Sequence, residues 1–92
     1  MDVLTDEQIS ARLAEQPGWT REGDAIVHLE TLADFGAAMQ YVGAVADLAQ
    51  AADHHPDILI QWNKVTLTLS THSAGGLTGK DFALAGRISA LS

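Results

Sequence analysis

The sequence predicts an α+β fold: a four-stranded antiparallel sheet with helices packed on one face, in the order helix, two strands, helix, two strands, helix. Three observations carry this. Residues 25–30 and 65–70 alternate with the period of two that marks a half-buried strand. Each of these runs follows a second strand-like stretch across a short turn, so the strands come as antiparallel pairs. Around and between the pairs, apolar residues recur every three or four positions, bounded by caps and helix breakers.

The first helix opens at Thr5-Asp6-Glu7-Gln8, a capping box with Thr5 as N-cap and Gln8 three residues on, and Leu4 and Ile9 stand where a hydrophobic staple stands. Ile9 and Leu13 give its buried stripe, and Pro17-Gly18 ends it. A hairpin follows over residues 19–30, turning at Glu22-Gly23-Asp24. In its second strand Ala25, Val27 and Leu29 alternate with Ile26, His28 and Glu30, which puts His28 on the more polar, solvent-facing side. The longest helix spans residues 31–53 with Phe35, Met39, Val42, Ala46 and Ala49 as its buried face. Pro56 guarantees its end. Ile58, Ile60 and Trp62 share one parity, Asn63-Lys64 turns the chain, and Val65, Leu67 and Leu69 alternate with Thr66, Thr68 and Ser70. After Gly75-Gly76 the last helix starts with Thr78 as N-cap, Asp81 three residues on, and Leu77 facing Phe82. The edge strands carry no proline and are free to pair between subunits.

A chain of 92 residues is expected to form one domain, residues 1–92, because two would each be too small to stabilise a core. Expected stability is about 5–10 kcal/mol, and self-association would add to it. With 12 acidic residues against 5 basic ones the net charge is -7, which argues against direct nucleic-acid binding. There is no cysteine, so disulfides, thiolate catalysis and Cys-based zinc sites are excluded. The acidic N-terminus has no signal-peptide character, and no apolar run is long enough to span a membrane; a cytoplasmic protein is expected.

Chemistry concentrates between Asp53 and Asp81, where three of the four histidines lie: His54 and His55, followed by Pro56, and His72. Imidazole both gives and takes protons near neutral pH, so an acid–base site is one reading. A metal site is the weaker one, because adjacent loop histidines seldom converge on one ion and no histidine pair has helical spacing. Each residue also has a structural reading. Asp81 serves equally as a capping carboxylate, His72 as a satisfied strand-end histidine, and His54-His55 as a helix C-terminus favoured by the dipole.

The spacing of these residues resembles the pterin-4a-carbinolamine dehydratases. His54-His55-Pro56, five residues, Trp62, nine residues, His72, eight residues and Asp81 reproduce the family pattern, and the wording around Trp62-Asn63-Lys64-Val65, Leu69-Ser70-Thr71-His72 and Gly76-Leu77-Thr78 agrees with it. The resemblance implies dehydration of a 4a-hydroxytetrahydropterin to the quinonoid dihydropterin, which regenerates the cofactor of aromatic amino acid hydroxylases. It implies His54 and His72 as the acid–base pair, Asp81 as the carboxylate that orients a histidine, and His55, Pro56, Thr71, Ser73 and Gln50 at the pterin. Neither a metal nor a bound cofactor is implied. Family members form homodimers through their sheet edges, or homotetramers, and some are dimerisation partners of a homeodomain transcription factor. One departure stands out: Gln50 occupies the place of an ionisable residue four before His54, on the face a helix would share with that histidine. A glutamine hydrogen-bonds an imidazole but brings no charge to imidazolium. It is the one sequence feature that favours the competing class, a catalytically weak member kept as an oligomerisation module.

Overall fold

The computed structural model of the chain describes residues 3–91 and follows the expected order of elements. Helix α1 (Asp6–Ala14) begins on the Thr5–Gln8 capping box and buries Ile9, with Leu4 and Leu13 packed against the core. Strands β1 (Trp19–Glu22) and β2 (Ala25–Thr31) form the first hairpin, α2 (Phe35–Ala52) crosses over, β3 (Asp57–Gln61) and β4 (Lys64–Leu69) form the second, and α3 (Gly79–Ser89) closes the fold. The sheet order is β1-β2-β4-β3, antiparallel throughout, so the two local hairpins are joined along the pairing of β2 with β4. Strands β1 and β3 are the edges.

The β2–β4 register sets Ile26 opposite Leu69, His28 opposite Leu67 and Glu30 opposite Val65. Ile26, Val65, Leu67 and Leu69 are buried beneath the helices, whereas Leu29 and Leu59 lie on the other, open face of the sheet. Ala38, Tyr41, Val45 and Ala49 of α2, with Phe82, Ala85 and Ile88 of α3, complete one apolar cluster.

Three local expectations shift. The buried stripe of α2 is Ala38, Tyr41, Val45 and Ala49, while Phe35 is 50% and Met39 42% exposed. Two neighbouring stripes on this helix are apolar at helical spacing and meet at Ala49, and the one that faces the core carries the small Ala38 where the other carries Phe35 and Met39. The helix also starts later than the periodicity suggests, because Asp34 caps it by accepting from the Ala37 amide at 2.8 Å. The second hairpin turns at Trp62-Asn63, with Trp62 at φ 54, and Lys64 already pairs with Gln61. Asn63 then ties the crossover down, donating from Nδ2 to the Leu32 carbonyl and accepting from the Leu32 amide through its own carbonyl.

His28 is the third correction: it shares the helix-covered face with Ile26. Its polar ring is accommodated there because Nδ1 lies 2.8 Å from the Gly18 carbonyl and Nε2 2.8 Å from Glu30, while the ring stacks on Trp19. Gly18, at φ 95, brings its backbone close enough for that contact.

Tyr41 is the exception to polar satisfaction, since its hydroxyl is buried with no partner among the described residues. Burial, reinforced by the Glu30 carboxylate, pushes this hydroxyl up from 10.0 to about 12. The folded protein therefore keeps a proton that the unfolded chain gives up, and the stability this represents is present below pH 10.0 and lost as pH rises to about 12. Tyr41→Phe should raise stability at neutral pH by about 1 kcal/mol and flatten the alkaline decline. Urea unfolding of both proteins on either side of pH 10.0 checks the two effects together.

Candidate functional site

The exit from α2 positions the histidine pair. Asp53 adopts a left-handed conformation (φ 50, ψ 43) as the C-cap, and the His54 amide folds back to the Ala49 carbonyl. Pro56 then forces extended backbone into β3. The consequence is that the two neighbouring histidines part company.

His54 turns inward. Its Nε2 lies 2.6 Å from Asp81 Oδ1, and Asp81 is fully buried. A carboxylate so enclosed needs donors, and it has them: Oδ2 accepts from Thr71 Oγ1 at 2.8 Å and from the Thr78 amide at 2.9 Å. Thr71 has given its one hydroxyl proton to Asp81, so in the 2.8 Å contact between the two threonines Thr78 is the donor. Asp81 thus serves at once as the N3 residue of the α3 capping box and as the partner of His54. The two readings of this residue coexist.

His55 faces the other way. Its Nε2 donates to Gln50 Oε1 at 2.6 Å, since an amide oxygen only accepts. Gln50 is therefore the partner of His55 and not of His54, because the left-handed turn at Asp53 rotates His54 off the face that helical spacing would give it. With Nε2 carrying the proton, the neutral ring keeps Nδ1 as its free base.

His72 heads a short 3₁₀ turn (His72–Ala74) that Gly75, at φ 80, brings back so that Thr71 bridges to Gly76. Thr71 is buried and His72 exposed. Two adjoining cavities open beside it. One, of about 320 Å³, is lined by His55, His72, Ser70 and Thr68 together with Asp24 and Asp57. The other, of about 300 Å³, is lined by His54, His55, Ser70, Thr71, His72, Ser73, Asp53 and Lys80. His55, Ser70 and His72 belong to both. Asp81 and Gln50 stand behind histidines and line neither cavity, and Pro56 acts on the backbone alone. Among the described residues no three His, Cys, Asp or Glu side chains gather as a metal ion would need.

Several lining residues had no signal of their own in the sequence. Asp57 directly follows Pro56 and Lys80 directly precedes Asp81, so adjacency to the motif was the available hint. Asp24 is remote in sequence and reaches the cavity only because β2 pairs with β4.

A family profile described as Pterin 4 alpha carbinolamine dehydratase matches residues 2–91. A Roseiflexus castenholzii protein bearing a pterin-4-alpha-carbinolamine dehydratase name is 56% identical over 86 residues, covering 94% of this chain and 92% of its own length. A Nocardia farcinica protein named in the same way is 52% identical over 91 residues, covering 99% and 96%. The crystal structure of a transcriptional coactivator/pterin dehydratase from Brucella melitensis superposes with a TM-score of 0.93 at 30% identity, over 98% of both chains.

The geometry around Asp81 makes a testable statement about stability. Asp81→Asn removes the buried charge that three donors face and leaves the amide either opposing a donor or forcing His54 into its other tautomer, which should lower unfolding free energy by about 3 kcal/mol. Gln50→Ala, at an exposed pair, should change it by less than about 0.5 kcal/mol. Chemical denaturation of the two variants beside the parent protein measures the contrast.

Proposed function

The chain belongs to the pterin 4 alpha carbinolamine dehydratase family, and on that premise we propose that it dehydrates a 4a-hydroxytetrahydropterin to the quinonoid dihydropterin and water, with His55 and His72 as the acid–base pair. The reading rests on one observation above all, that these two imidazoles line the same two adjoining cavities. His54 also borders the second cavity, but its ring is buried against the fully enclosed Asp81, whereas His55 is exposed. We therefore assign His54 and Asp81 a positioning role, holding the histidine loop against the start of α3.

The reaction needs two proton movements. A base removes a proton from a ring nitrogen, the C4a–O bond breaks with its electron pair on oxygen, a C=N bond forms, and an acid protonates the departing hydroxide as water. His55, whose Nε2–H is held by Gln50 so that Nδ1 is the nitrogen left to take a proton, suits the base. His72, exposed at the head of its turn, suits the acid. After one turnover the two rings have exchanged protonation states, and proton exchange with solvent restores them. Thr71 and Ser73 border the second cavity beside His72 and complete the contact set expected for the pterin. The product is a quinonoid dihydropterin, which links the protein to reactions that oxidise tetrahydropterins, such as those of aromatic amino acid hydroxylases. Self-association belongs to the same reading, since β1 and β3 are sheet edges and Phe35 and Met39 leave an apolar stripe on α2 exposed.

The first test is the dehydration rate of freshly generated 4a-hydroxytetrahydropterin above its uncatalysed background. His55→Ala and His72→Ala should each lose about 10²–10⁴-fold. Full activity in either folded variant would remove that residue from the mechanism, and no acceleration by the parent protein would overturn the dehydratase reading.

Gln50→Glu gives an independent prediction. A carboxylate beside His55 favours imidazolium, so the limb of the pH–rate profile governed by this residue should move up by about one pH unit. An unchanged rate and profile would mean that the glutamine carries no penalty.

A further inference from the structure

The two cavities share His55 and His72 but differ in charge. The first adds Asp24 and Asp57 and no lysine or arginine, whereas the second sets Lys80 against a single carboxylate, Asp53. An ionised carboxylate only accepts hydrogen bonds, so the first cavity offers a ligand two acceptor-only groups. Their placement is part of the fold. Asp24 sits in the β1–β2 turn, where its backbone carbonyl accepts from Ser70 Oγ at 2.7 Å, and its Oδ1 lies 4.0 Å from where a Cβ on Gly76 would stand. Asp57 opens β3 opposite Thr68, whose side chain borders the same cavity. In contrast, the Asp81 carboxylate accepts from three donors within the protein.

We propose that Asp24 and Asp57 are specificity-determining residues, accepting from the 2-amino group and N3–H of the pterin so that C4a comes to lie between His55 and His72. The inference rests on the dehydratase reading above and gives the substrate a direction. The 2-amino-4-oxopyrimidine edge presents two adjacent N–H donors, the pattern a carboxylate accepts with both oxygens. Along the bicycle the order is then C2–N3 edge, ring-fusion carbon C4a, N5, and the C6 substituent. The cavities follow the same order: Asp24 and Asp57, then the shared His55 and His72, then Lys80. With the N–H edge held by the two carboxylates of the first cavity, the C6 substituent at the far end of the bicycle points into the second.

The experiment pairs enzyme variants with a ligand lacking the amino group. Asp24→Asn, Asp57→Asn and the double variant are assayed for dehydration, and the binding of a 7,8-dihydropterin and of its 2-deamino counterpart is measured by calorimetry on the full chain. The parent protein should prefer the aminated ligand by about 10–100-fold. The double variant should bind the two alike, with KM raised by a similar factor and kcat changed far less. Normal KM in a double variant with an unaltered unfolding temperature would overturn the inference while leaving the dehydratase reading intact. If substitution disturbs folding, the ligand comparison on the parent protein decides, and equal affinity for the two ligands overturns the proposal. Failure of the parent protein to accelerate dehydration would instead sink the dehydratase reading and this inference with it.

Discussion

A single buried carboxylate organises the functional end of the molecule. Asp81 has no exposed surface, in a chain whose formal charge is already -7, and such a group is tolerable only when its acceptor sites are filled. The donors come from three segments: His54 after α2, Thr71 after β4, and the nearby Thr78 amide at the start of α3. Satisfying one side chain therefore fixes the relative position of three segments. The loops that carry His55 and His72 are continuations of those segments, so the open cavities inherit their shape from a carboxylate that lines neither of them.

This arrangement divides two tasks between adjacent histidines. A ring locked to a buried carboxylate is well placed but has one nitrogen committed, whereas a ring free to exchange protons with a ligand needs an exposed nitrogen. In the proposed reaction buried His54 takes the first part and exposed His55 the second, although they are adjacent. The left-handed Asp53 and the restriction imposed by Pro56 make the divergence possible within so short a stretch.

What could be read from the sequence was local. Both capping boxes, the order of elements and the alternation in β4 follow from residues close together, and each appears as expected. The errors share a different origin. Choosing Tyr41 and Val45 over Phe35 and Met39 depends on which side of α2 meets the sheet, and placing His28 under the helices depends on its pairing with Trp19 and Leu67. The spacing rule that joined Gln50 to His54 assumed a helix that Asp53 had already ended. For the site, the motif named the three histidines that line the cavities, whereas Asp24 could not be found without the β2–β4 pairing.

That same pairing governs when the site comes into being. Each hairpin can close on its own over a few residues, but the join between β2 and β4 spans the whole of α2 and must await the loop-closure entropy of that crossover. Asp24 rides on one hairpin, His55, Asp57 and Ser70 on or beside the other. No partly folded species with separate hairpins contains the cavity. A ligand that occupies it consequently favours only the fully joined sheet, shifting the folding equilibrium by mass action and giving nothing to any intermediate.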